Sequence, residues 1–133
     1  MSIHSDTWRT YGFEADFVAA QIVKPTQVTN VTPVLFPSSS TGYDLRLLGR
    51  RRPIVVITIS RAAQGVTFSV TESATTNGTY TAATTSGSLA KMTADGVEFI
   101  TVKRNLAKPF IRVTATGDNA STDITASIAV LGI

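Results

Sequence analysis

Ile54-Val55-Val56-Ile57-Thr58-Ile59-Ser60, then Arg61-Ala62-Ala63-Gln64-Gly65, then Val66-Thr67-Phe68-Ser69-Val70-Thr71-Glu72 is the stretch that decides the fold. The first run is β-branched and too short for a helix, and the middle run is a polar loop ending in glycine. The third alternates apolar residues with hydroxyls, so Val66, Phe68 and Val70 share one face and Thr67, Ser69 and Thr71 the other. Together they read as two neighbouring strands, Pro53 to Ser60 and Val66 to Glu72, with the chain turning back between them. Val55, Ile57 and Ile59 are expected to face the core that Val66, Phe68 and Val70 face. Ile54 and Val56 are apolar on the opposite side, which calls for cover from another element or another subunit.

Working outward, Val18 to Val23 reads as a strand ended by Lys24-Pro25, and Val31 to Phe36 as a second, placed at a sheet edge or bulge by Pro33. Pro37 to Gly42 is a loop, and Tyr43 to Leu48 a short strand or turn leading through Gly49 into Arg50-Arg51-Arg52. Beyond Glu72 the run Ser73 to Gly87 is almost entirely Thr, Ser, Ala, Asn and Gly, long for a loop inside a compact domain and of the kind that is functional or mobile. Strands follow at Ser88 to Met92, Val97 to Val102, Phe110 to Thr116 and Asp123 to Leu131, the last with Ile124, Ala126, Ile128 and Val130 on one face. About eight short strands and no amphipathic helix predict an all-β domain, an antiparallel β-sandwich or jelly roll, with a closed barrel as the structural alternative. The expected organisation is an extended N-terminal arm over residues 1–16 and one domain over 17–133.

The arm holds Trp8, Tyr11 and Phe13, with Phe17 at its junction with the domain. Aromatics gathered at a terminus pack onto something, ordinarily the chain's own domain, otherwise a neighbour.

The chain of 133 residues is long enough to bury a core without staples, and with no cysteine it has neither disulfides nor thiolate metal sites. Only 16% of residues are charged, a low share that, with so many hydroxyls, suits lateral contacts better than a freely diffusing enzyme. The net charge of +3 comes mostly from Arg50-Arg51-Arg52, Lys103-Arg104 and Lys108. It favours anionic partners but falls short of a nucleic-acid-binding pattern. His4, the single histidine, lies near the N-terminus, which removes histidine-based triads and metal centres. Asp44, Glu72, Asp95, Glu98, Asp118 and Asp123 show no spacing that pairs two carboxylates for a hydrolase, and the Asp118–Asp123 loop is not a calcium loop of known type. No phosphate or dinucleotide loop occurs, so no cofactor is expected. Neither a signal peptide nor a membrane span is evident.

The order of landmarks resembles the small capsid cement, or head decoration, proteins of tailed bacteriophages. The resemblance runs through Phe17 to Val23, Arg50 to Ser60, the Val66 to Glu72 strand and its hydroxyl-rich loop, then Ser88 to Lys91, Asp95 to Val97, Pro109 to Val113 and Ile124 to Val130. It implies a small jelly-roll domain that assembles as a homotrimer on the outer surface of the virion, contacts the major capsid protein, and is made in the host cytoplasm. No catalytic residue is carried over, and neither a membrane nor a nucleic acid is implied. On this reading Trp8, Tyr11, Phe13, Phe17 and Arg50 to Arg52 are expected to contact the capsid or a neighbour, and Ile54 and Val56 to form the trimer contact. The aromatic N-terminal segment and the basic Tyr43 to Arg52 stretch depart from the family's pattern. A virion or surface glycan-binding module, using the Ser73 to Gly87 loop, is the alternative.

Overall fold

A computed structural model of the chain describes residues 21–28, 31–60, 65–87, 89, 91–119 and 124–133. Among these, the strands are β1 (Gln21–Val28), β2 (Val34–Phe36), β3 (Tyr43–Asp44), β4 (Pro53–Ser60), β5 (Val66–Ser73), β6 (Thr81–Ala82), β7 (Gly96–Thr101), β8 (Phe110–Gly117) and β9 (Ile124–Gly132). A single 3-10 turn spans Leu45–Leu48. All strand pairings are antiparallel, and they form two sheets packed face to face. The first has the order β1-β9-β4-β7. The second has the order β2-β8-β5-β6, with β3 also paired to β8. Successive strands pass repeatedly from one sheet to the other, which makes the sandwich a jelly roll.

The inner faces are built by strict alternation. β4 buries Pro53, Val55, Ile57 and Ile59, β9 buries Ile124, Ala126, Ile128 and Val130, and the opposing sheet supplies Val66, Phe68 and Val70 from β5 and Ile111, Val113 and Ala115 from β8. Phe36, Leu45 and Leu48 close one part of this core. Each fully buried Ile or Leu contributes on the order of 1.5–3 kcal/mol from water exclusion.

Three expectations need correction. The strands on either side of Arg61 to Gly65 do not pair with each other: β4 pairs with β7 and β9, and β5 with β6 and β8. Their inner residues do share one core, but they reach it from opposite sheets. The first strand does not end at Lys24-Pro25; it runs to Val28, and the register against β9 shifts between Val23 and Thr26, which accommodates a proline that cannot donate a ladder hydrogen bond. Nor does the polar stretch after Glu72 run unstructured. It carries β6 and a bridge from Thr85 to Val102. Within Ser88 to Met92, residues 88 and 90 lie outside the described residues, and Met92 makes a lone bridge to Val66.

Candidate binding surface

Arg50 to Arg52 owe their position to the turn before them. Asp44 caps the 3-10 turn by accepting from the Arg46 backbone N–H at 3.0 Å and from its guanidinium at 2.9 Å, which holds the Asp44 carboxyl below the ordinary carboxylate range. Gly49 then reverses the chain with φ of 61°, a left-handed conformation that disfavours side chains. Arg52 exchanges two backbone hydrogen bonds of 2.9 Å with Ile133, at the end of the β4–β9 ladder. A Cβ on Gly132 would meet the Arg51 Cβ at 2.6 Å, so glycine lets the arginine segment lie against β9.

Arg104 fastens the other side. Its guanidinium donates to the Leu45 carbonyl at 3.0 Å and to the Arg51 carbonyl at 2.7 Å. Its charge therefore serves the loop's geometry as well as the surface potential. Next to it, the Lys103 N–H donates to the Thr84 carbonyl and the Ser86 N–H to the Thr101 carbonyl, which draws the 84–86 segment onto the end of β7.

An open cleft of about 940 Å³ results, with Arg50, Arg51, Arg52, Lys103 and Arg104 around it. Hydroxyls of Thr84, Thr85, Ser86 and Thr101 complete its polar lining, which includes neither Asp nor Glu among the described residues. Arg50, Arg52 and Lys103 are exposed. Five cationic residues line one concavity, a grouping that favours anionic groups there.

Beside the cleft lies the outer face of the four-stranded sheet. Ile54 is opposite Leu131 on β9 and Thr101 on β7, and Val56 is opposite Ala129 and Phe99. Val97 lies opposite Thr58 in the next row. Phe99 is 67% exposed and Val97 58%, whereas Ile54, Val56, Ala129 and Leu131 are half-buried. The other sheet's outer face carries hydroxyls, with Thr67 and Ser69 exposed. The two faces of the sandwich therefore differ in kind.

The structure brings together Arg50, Arg51, Arg52, Ile54 and Val56 at one end of one sheet. Trp8, Tyr11, Phe13 and Phe17 lie outside the described residues. Missed in the sequence were Val97, Phe99, Ala129 and Leu131 as outer-face residues, and Lys103 with Arg104 as neighbours of the arginine triplet. One signal was available: the run from Val97 to Val102 is apolar on both faces, as Ile54 to Ile59 is.

Among the described residues the carboxylates stand apart from one another. Glu72 is buried and accepts from Asn105 at 3.3 Å, and Asp118 forms an ion pair with Lys91 at 2.8 Å. Asp123 lies outside the described residues, among which no three His, Cys, Asp or Glu side chains gather. No helix among them is long and apolar enough to cross a membrane.

Arg112 is not a spare surface cation. Buried to 8% exposure, it donates to the Thr41 carbonyl at 2.7 Å and the Thr76 carbonyl at 3.2 Å, with its guanidinium 3.9 Å from the centre of the Tyr80 ring. The Tyr80 hydroxyl donates to the same Thr76 carbonyl at 2.7 Å. The hydroxyl-rich loop is thus tied to the Thr41–Gly42 turn.

No family model matches the chain, and no curated protein matches it. Solved structures with a similar fold include the PBSX exported protein XepA, with a TM-score of 0.55 and 14% identity over 86% of this chain. The chain spans 37% of that protein's length. The Yersinia pseudotuberculosis-derived mitogen matches at a TM-score of 0.46 and 8% identity, covering 86% of each chain. The CBM22-1–GH10 modules of Clostridium thermocellum xylanase 10B match at 0.43 and 13%, over 91% of this chain and 27% of that one. At 14% identity the likeness to XepA is one of fold alone.

Proposed function

We propose that the chain is a structural virion protein that binds the outside of a bacteriophage head as a homotrimer and stabilises the capsid by bridging subunits of the major capsid protein. The observation that carries this reading is the outer face of the four-stranded sheet, where Ile54, Val56, Val97, Phe99, Ala129 and Leu131 replace the hydroxyls of the opposite sheet. An apolar face bordered by arginines has the composition of a protein–protein interface. The resemblance to cement proteins in strand order, and the jelly roll itself, agree with it.

The mechanism is mechanical and needs no catalytic group. Three footprints on one rigid trimer raise the effective concentration of each, so modest contacts at each capsid subunit sum to firm attachment across a seam. Trp8, Tyr11, Phe13 and Phe17 would anchor the arm on the capsid or a neighbouring copy, and Arg50 to Arg52 would meet acidic capsid surface. In the glycan-binding alternative the Ser73 to Gly87 loop would need a ring for a sugar to stack on, and Tyr80 is already engaged by Arg112.

Light scattering of the purified chain over a range of concentrations, followed by binding to heads lacking the protein, tests the proposal. A trimer that attaches to such heads is expected. A chain that binds no head at any concentration, yet gives hits on a glycan array, overturns it.

A further inference from the structure

The four-stranded sheet ends at β7, which pairs with β4 on one side and borders no strand of the sheet on the other. The Val102 N–H donates to the Pro53 carbonyl at 3.0 Å. In an antiparallel ladder every second residue turns its backbone groups the same way, so those of Ile100, Glu98 and Gly96 also face β4. Those of Thr101, Phe99 and Val97 face away from the sheet. We propose that this edge is a docking site for an extended segment of a partner protein, one that carries a lysine or arginine between two apolar residues and adds to β7 as an antiparallel strand. The inference is independent of whether that partner belongs to a phage head.

Thr101 shows what the edge accepts. Its N–H donates to the Ser86 Oγ at 3.2 Å, and its carbonyl takes the Ser86 N–H at 2.9 Å, beside the antiparallel bridge between Thr85 and Val102. The 84–86 segment thus begins a neighbour for β7. Beyond Ser86 no further pairing with β7 is made among the described residues, and Met92 bridges Val66 in the opposite sheet. Val97 and Phe99 are left with two N–H groups and two carbonyls directed outward, and no hydrogen bond reaches these four groups among the described residues. An added strand satisfies all four. In that mode of recognition main-chain hydrogen bonds supply the affinity and alternate side chains the specificity.

The side chains of β7 select the segment. Val97 and Phe99 stand exposed on the outer face, where apolar neighbours on an added strand would cover them and prolong the row that Phe99 forms with Val56. Glu98 belongs to the other face, since it lies opposite the buried Ile57. It is exposed, and it makes neither a hydrogen bond nor an ion pair among the described residues. Because its backbone groups are turned to β4, the residue opposite it on an added strand would form a pair without ladder bonds, the arrangement in which facing side chains come closest. A cation at that position meets the carboxylate directly.

A second copy of the same edge is a poor occupant. The antiparallel register that engages both Val97 and Phe99 sets Glu98 against the Glu98 of the second copy, and like charges so placed destabilise the pair. Protection of the edge does not account for the strand either. A charge on an edge strand guards against unwanted pairing, yet an edge built only to repel would not expose a valine and a phenylalanine beside its free N–H groups. The combination discriminates among strands: it admits apolar residues flanking a cation and refuses an acidic segment.

Two capped heptapeptides test this on the full-length protein: Thr-Thr-Val-Lys-Val-Thr-Thr, and the same sequence with glutamate in place of lysine. Amide spectra of the nitrogen-15-labelled chain are recorded by NMR as each peptide is added, and hydrogen exchange is followed at the Val97 and Phe99 amides. The lysine peptide is expected to slow exchange at both amides and to bind on the order of tenfold tighter than the glutamate peptide, the difference between an opposite-charge and a like-charge cross-strand pair. Glu98→Lys should invert that preference. A lysine peptide methylated on the amide nitrogens of its two valines should protect neither residue, because it lacks the donors that the outward carbonyls need. Unchanged exchange at Val97 and Phe99 with the lysine peptide at millimolar concentration overturns the proposal. So does equal affinity of the parent chain for the two peptides, a result that does not depend on the variant folding.

Discussion

Tyr43 is buried to 2% exposure, and its hydroxyl has no hydrogen-bond partner among the described residues. A buried hydroxyl without a partner costs its desolvation, so Tyr43→Phe is expected to keep or raise stability, by about 1 kcal/mol at neutral pH. Burial also pushes the phenol's pKa well above its ordinary value. The folded state therefore favours the neutral form, and stability is retained below about pH 10 and lost as pH rises past it. Thermal melts from pH 7 to 11 check both points, because the phenylalanine variant should lose the part of the alkaline decline that Tyr43 causes. Arg112 is the opposite case, a buried charge with every neighbour arranged for it. Arg112→Met would leave the Thr41 carbonyl without its donor and the Tyr80 ring without its cation. A loss of roughly 2–3 kcal/mol is expected from hydrogen bonds to a charged group, read as a lower urea midpoint. Arg112→Lys should recover only part of it, since an ammonium cannot reproduce the planar fork that spans Thr41 and Thr76.

β4 shows how far a strand's sequence reports its surroundings. The alternation in Pro53 to Ser60 identified the buried face, and Ile54 and Val56 were legible as a second apolar face because period two leaves them nowhere else to point. What the alternation did not encode was the partner. A strand that continues into a hairpin and one that crosses to the opposite sheet bury the same residues, so from sequence the loop from Arg61 to Gly65 reads as a turn between neighbouring strands. The arginine triplet was legible as a basic run, but its joining with Lys103 and Arg104 depends on tertiary pairing between the Pro53 carbonyl and the Val102 N–H, which no local pattern carries. On the proposed function, the two faces of β4 also separate folding from assembly. Val56→Asp introduces a charge on the outer face and leaves Val55 and Ile57 in place. It is expected to preserve the circular dichroism spectrum while converting the proposed trimer to monomer in light scattering. A trimer that persists with Val56→Asp would remove this face from the assembly.

At the scale of the whole molecule, the order in which strands are made opposes the order in which they pack. β9 is the last strand in the sequence, yet it lies between β1 and β4 in its sheet and pairs with both along most of its length. Among the described residues β1 pairs with β9 alone, so Gln21 to Val28 gains its ladder only after residues about a hundred positions later arrive. Closing so long a loop carries its entropy cost before any contact offsets it, which places this jelly roll among slow, long-range folders. Deleting residues 124–133 would remove Ile124, Ala126, Ile128 and Val130 from the core and leave the inner edges of β1 and β4 unpaired. With four buried side chains lost, each worth on the order of 0.5–3 kcal/mol, the deficit rivals the total stability of an ordinary domain. The truncated chain is expected to show neither a cooperative thermal transition nor a native β-sheet spectrum. A cooperative melt from that truncation would mean that the five-stranded sheet, with β4 and β7, folds without the strand that joins the two ends of the chain.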